Sequence, residues 1–126
     1  GQFVNYKGIQ SRPLAYQSGG PPVIVGGTSK AAYRRAIQKG HGWYGFALNV
    51  ASSQESVDAL KTLSESTNRS TDLGELEISI TPRVPLTDEV IKQFEDMGVS
   101  RLILLQTGQN EDQILGYIDQ IAKDFL

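Results

Sequence analysis

Apolar residues along this chain come in two textures: short unbroken runs, and stripes at helical spacing. Val23, Ile24 and Val25 form a β-branched run with no polar alternation, which suits a parallel strand covered on both faces. Gly26 and Gly27 follow, and Thr28 or Ser29 can cap a helix through Ala31, Ala32, Ala36 and Ile37 that stops near Gly40. Gly42 to Leu48 reads as a second strand. Ser52-x-x-Glu55 has the form of a capping box, ahead of a stripe at Val57, Leu60 and Leu63. Asn68 to Gly74 is a polar loop. Leu76 to Thr81 is a third strand with Ile78 and Ile80 on one face, ended by Pro82 and Pro85. Thr87 caps a helix with Asp88 and Glu89 in its first turn, carrying Val90, Ile91, Phe94 and Met97 and stopping at Gly98. Leu102 to Leu105 is the fourth strand, and Asn110 caps a last helix with its stripe at Ile114, Leu115, Ile118, Ile121, Ala122 and Phe125.

The order is strand then helix, four times over. Such alternation predicts an α/β fold with parallel pairing and right-handed crossovers. A doubly wound sheet and part of a (β/α)8 barrel both fit. Gly26-Gly27 lacks the third glycine of a dinucleotide fingerprint, and no acidic residue ends the second strand. No Gly-Lys-Ser/Thr follows the turn, so the Walker pattern is missing too. Residues 1–20 differ in character: Phe3, Val4, Tyr6 and Ile9 surround Lys7-Gly8, as in a short strand or hairpin lying across a larger body. The division is therefore 1–20, an N-terminal hairpin or loop segment, and 21–126, the strand-helix body.

Composition narrows the function. Twelve basic and 14 acidic residues leave the 126-residue chain near neutral, with no basic stripe interleaved with aromatics, so nucleic acid is not the expected partner. No apolar run is long enough to cross a membrane and no signal peptide is evident. Cysteine is absent and His41 is the only histidine, which leaves no thiolate nucleophile and no multi-histidine metal site. A cytoplasmic location follows as an expectation. The chain begins Gly1-Gln2-Phe3 without methionine, as a tag scar, a processed end or the middle of a longer protein would.

The strand-Gly-Gly-cap order from Val23 to Ser29 points unpaired N–H groups and a positive dipole end at one spot, a site suited to phosphate; a plain packing turn is the other reading. Pro21-Pro22-Val23-Ile24-Val25-Gly26-Gly27-Thr28-Ser29, the Ala31-Ala32-Tyr33-Arg34-Arg35-Ala36 helix and Gly40-His41-Gly42-Trp43-Tyr44-Gly45-Phe46 resemble the luciferase-like monooxygenases, and within them the coenzyme F420-dependent oxidoreductases. Ile9-Gln10-Ser11-Arg12-Pro13, Leu76 to Pro82 and Gly98 to Leu104 carry the same resemblance. It implies that the chain supplies strands five to eight of a (β/α)8 barrel, preceded by part of the insertion before strand five. It also implies FMN or F420 at the C-terminal ends of the strands, with the cofactor phosphate on Gly26, Gly27, Thr28 and Ser29. Where the family reads Gly-Asp-Gly or Ala-Asp-Gly, this chain has Gly40-His41-Gly42. The half of such a barrel that surrounds the reactive ring is not in this sequence, so no residue is assigned a catalytic role.

Other residues are weighed by position. Arg83, after the third strand, and Gln106 and Thr107, after the fourth, fall on the functional face of a barrel and are candidate ligand contacts. His41 falls before a strand, on the opposite face, and reads as a loop histidine. Arg34 and Arg35 either approach the phosphate or face water. Trp43 and Tyr44 read as packing residues, and Asp112, Asp119 and Asp124 as solvated helix faces and not a metal cluster. Four half-barrel strands would leave an inner face, drawn from Val23–Val25, Tyr44–Leu48, Leu76–Ile80 and Leu102–Leu105, open to water with about eight large apolar side chains. The expected partner is a second copy or the missing N-terminal half, with a small-molecule substrate. A non-catalytic half-barrel that self-associates and binds a phosphorylated ligand is the alternative function.

Overall fold

A computed structural model describes residues 2–10 and 12–125; Gly1 and the Ser11 of the Ile9-to-Pro13 stretch lie outside the described residues. The order is β1 (Ile24–Gly26), α1 (Lys30–Lys39), β2 (Gly42–Leu48), α2 (Val50–Glu65), a 3₁₀ turn at Thr71–Leu73, β3 (Glu77–Pro82), α3 (Asp88–Met97), β4 (Arg101–Leu102) and α4 (Glu111–Phe125). All pairings are parallel, in the sheet order β1-β2-β3-β4. Sequential parallel strands joined by right-handed crossovers must carry their helices on one side. The core agrees: Tyr33, Ala36 and Ile37 of α1, Val57 and Leu60 of α2, and Phe94 and Met97 of α3 meet Trp43, Ile78 and Ile80 in one cluster. Trp43 is the largest fully buried side chain, with its ring edge-on to Tyr33 at 5.6 Å.

Among the described residues no helix layer covers the opposite face of the sheet. Strand periodicity puts Ile24, Tyr44, Phe46, Ser79, Thr81, Arg101 and Ile103 there, and Phe46 is 60% exposed. This face is less apolar than its sequence suggests. Leu76, Ile78, Ile80 and Leu102 point to the helices. Between them, on the open side, Ser79 Oγ donates to Glu77 Oε1 at 3.0 Å, Arg101 Nη1 pairs with the same carboxylate oxygen at 2.9 Å, and Tyr44 Oη shares a 2.7 Å hydrogen bond with Thr81 Oγ1. Trp43 and Tyr44, both expected in the packing, therefore face opposite ways.

Several boundaries move. α2 begins before Ser52: Asn49 is the cap, its Oδ1 accepting from Ser52 N while Ser52 Oγ accepts from Asn49 N. Ser52 thus closes the capping box from the third helical position and does not open it. β4 shrinks to Arg101–Leu102, because β3 offers it no further ladder. Pro82 has no N–H, and the next donor, Arg83 N, bonds across to Leu48 O at 2.8 Å. β2 is irregular at its end, where Ala47 takes a positive φ of 55° and the register against β3 shifts. Among the described residues of 1–20 there is no strand, and Phe3, Val4, Tyr6 and Ile9 are exposed. A lone hairpin with nothing to pack on has little to hold it.

α4 keeps its predicted cap, Asn110 Oδ1 accepting from Gln113 N, but none of its residues is buried. Leu115 and Ile118 are 52% and 54% exposed. Its other side, Tyr117, Ile121 and Phe125, borders a cavity of about 290 Å³ with Pro82, Val84, Pro85, Leu86, Leu104 and Leu105.

The loop read as merely polar holds a clamp. Arg69 donates through Nη1 to Ala36 O, Ile37 O and Gly40 O, through Nη2 to Leu73 O and Glu75 O, and through Nε to Gly74 O. One guanidinium thus caps the negative end of α1 and ties it to the approach to β3. Burial lowers the Arg69 pKa, yet arginine stays charged. Arg69→Ala strands those carbonyls and is expected to cost about 2–3 kcal/mol in urea unfolding, with Arg69→Lys recovering only part, since an ammonium lacks the planar fork. An Arg69→Ala midpoint equal to the parent's would dismiss the clamp.

Candidate phosphate site at the end of β1

β1 ends in the Gly26-Gly27-Thr28-Ser29 turn, and all four residues are exposed. Gly27 adopts φ +108°, a region closed to most L-residues, and a Cβ there would come within 3.3 Å of Ala32 Cβ. Ser29, the second of the two candidate caps, is the one used: its Oγ accepts from Ala32 N at 3.2 Å and its carbonyl from Tyr33 N at 3.0 Å. That leaves the first-turn N–H groups of Lys30 and Ala31 without intrahelical acceptors, and the Ser29 hydroxyl proton still free to donate. Lys30 adds an exposed ammonium directly after the cap. The turn is pinned from below: the buried Trp43 Nε1 donates to Gly27 O at 2.8 Å. An exposed group of N–H donors, a hydroxyl and a cation, anchored to the core, can hold a small oxyanion.

The parallel sheet places the other candidates at the same end, since every strand ends there, but does not join them to the turn. Among the described residues no hydrogen bond or ion pair links Arg83, Gln106 or Thr107 to residues 26–29. Arg83 and Thr107 are exposed, and Gln106 turns back on its own loop, its Oε1 accepting from Gly108 N at 2.6 Å. Arg34 and Arg35 are exposed on α1. Asp112, Asp119 and Asp124 are exposed on α4, as solvated helix positions are. Beside the turn, on the open sheet face, Ile24, Gly26, Tyr44, Ser79, Arg101 and Ile103 line a shallow depression of about 280 Å³. Lys30 and the Tyr44–Thr81 pair were not singled out from sequence; Lys30, directly after the cap, was the one visible signal.

His41 has a structural task at the other end of the sheet. Its Nδ1 accepts from Val23 N at 2.9 Å, while the His41 backbone N–H donates to Val23 O at 2.7 Å. The side chain thus satisfies the first donor of the β1 edge.

No protein-family model matches the chain, and no match is found among characterised proteins or solved structures. Among the described residues no helix is long and apolar enough to cross a membrane.

An aspartate at position 41 would offer a carboxylate oxygen where Nδ1 now sits. His41→Asp is therefore expected to hold stability within about 0.5 kcal/mol of the parent, and His41→Leu to lose about 1 kcal/mol by leaving Val23 N without its acceptor. Thermal unfolding of the two variants side by side checks this; equal losses would remove the acceptor role.

Proposed function

We propose that this chain is four βα units of a (β/α)8 barrel, the C-terminal half of a luciferase-like oxidoreductase, and that Gly26, Gly27, Thr28 and Ser29 hold the phosphate of FMN or coenzyme F420. The observation that carries the reading is the turn itself: a positive-φ glycine at the C-terminal end of a parallel strand, an exposed helix start, and an indole that fixes the turn from the core. The uncovered sheet face is the second support, because a barrel half has helices on its outer side only.

The residues present fit the phosphate end of such a cofactor. Lys30 N, Ala31 N and the Ser29 hydroxyl supply donors, and the Lys30 side chain supplies charge. The depression formed by Ile24, Tyr44 and Ile103 offers apolar surface next to Gly26 for the part that follows. A flavin or deazaflavin, when bound, supplies the hydride chemistry. This chain's own groups bind and orient.

A binding module without turnover of its own is the second reading. It is favoured by the state of the polar groups near the depression: Tyr44 Oη is engaged with Thr81 and Arg101 with Glu77, so neither is presented to a substrate as a free acid or base. On either reading the isolated chain is expected to give background rates with reduced F420 or FMN and organic acceptors.

The phosphate grip has a direct test. Gly27→Asp combines a charge with backbone strain, because of the +108° φ, so Gly27→Ala is its control. Thr28→Asp adds the charge at a position without a positive φ. Titration calorimetry with FMN, F420 and inorganic phosphate should show about tenfold or greater weakening for Thr28→Asp, as expected for a carboxylate set against an anion. No binding by the parent chain, or equal affinity in parent and Thr28→Asp, would overturn the assignment.

A further inference from the structure

The structure leaves three things unfinished, and one partner completes all three. Among the described residues β1 pairs only with β2, and β4 only with β3, so both outer edges of the sheet are open there. The face away from the helices is open, with Ile24, Phe46 and Ile103 exposed. α4 lacks any buried residue. The third follows from the first. α1 lies against β1 and also against β2, the next strand along. By the same right-handed rule α4 belongs over β4 and the strand beyond it. No such strand is present among the described residues, and Leu115 and Ile118 are exposed.

Charge says which strand comes next. α1 carries four basic residues and no acidic one; α4 carries four acidic residues and one basic, and so does α3. α1 is thus the one cationic helix of the layer, and among the described residues no ion pair engages it. Arg34, Arg35 and Lys39 line an open groove on its surface with Ala31 and Gln38. A helix that follows α4 around a ring meets a strongly acidic neighbour, and α1 is the helix with the complementary charge. On the open face, the Glu77–Arg101 pair cancels its own charge, so two such faces meet without net repulsion.

We infer that a second copy of this chain closes the molecule: β4 of each copy pairs with β1 of the other about a two-fold axis, and cationic α1 lies beside the partner's acidic α4. The inference rests on the half-barrel part of the reading above, with a second copy in the place of the N-terminal half, and not on its cofactor. A two-fold along the barrel axis keeps all strands parallel and makes both junctions identical, so no edge remains. The partner's β1 supplies the strand over which α4 lacks a seat, and the two open faces become one interior. Arg34 and Arg35 face α4 of the partner across each junction.

Sedimentation velocity of the intact chain tests this. The parent is expected to be a dimer whose dissociation constant rises with salt. Arg34→Glu with Arg35→Glu should raise that constant about tenfold or more, because like charges then face each other across both junctions. Adding Asp112→Lys and Asp119→Lys to the same chain should restore the dimer, since α1 and α4 are again opposite in sign. Circular dichroism of each variant reports folding, and the salt dependence of the parent stands without any variant. A folded parent monomer, or a dimer indifferent to salt and to the reversals, would overturn the inference. A monomer that still binds FMN would remove the dimer and leave the phosphate site, whereas a dimer that binds neither FMN, F420 nor phosphate would do the reverse.

Discussion

The burial of Trp43 is the interaction on which the rest of the structure depends. Its ring fills the space between α1 and the sheet and sets the depth at which the helix layer lies. Its one polar atom cannot be buried without an acceptor, and that acceptor is the Gly27 carbonyl. The largest side chain of the core and an exposed turn at the sheet edge are therefore joined directly. The turn is thereby held by the core and not by its own exposed residues alone.

The two ends of the sheet divide the labour. At the end where strands begin, Arg69 and His41 close main-chain donors and acceptors: six carbonyls on one guanidinium, and Val23 N on an imidazole nitrogen. At the end where strands finish, donors are left open and the backbone leaves ordinary conformations, with Gly27 at φ +108° and Ala47 at φ 55°. Saturated hydrogen bonding at one end and exposed, unusual backbone at the other is the pattern of a scaffold that anchors below and presents above.

Local chemistry made much of this legible from the sequence. The Thr87 cap with Asp88 and Glu89, the left-handed Gly98, and the Asn110 cap each act through neighbours within four residues, so the sequence contains both partners of every interaction. The Gly-Gly turn was readable for the same reason, because a strand end, a positive φ and a helix cap are adjacent in the chain. What failed locally failed through competition: Asn49 stands three residues before Ser52 and takes the cap, and Ser52 serves it from inside the helix.

By itself, then, the sequence determined the order of strands and helices, the parallel sheet, and the turn at Gly26–Ser29. Tertiary structure alone decided what each element faces. Trp43 and Tyr44 are neighbours with similar side chains, and only the pleat and the one-sided helix layer send one into the core and the other to the open face. Arg69 looks like any loop arginine until the ends of α1 and the approach to β3 converge around it, 29 to 33 residues from its partners on α1 and Gly40. The length of β4 depended on where Pro82 breaks the neighbouring ladder, and among the described residues no further strand lies beside β4. Hydrogen-bond partners distant in sequence and the presence of a neighbouring edge are properties of the assembled sheet, and no local pattern encodes them.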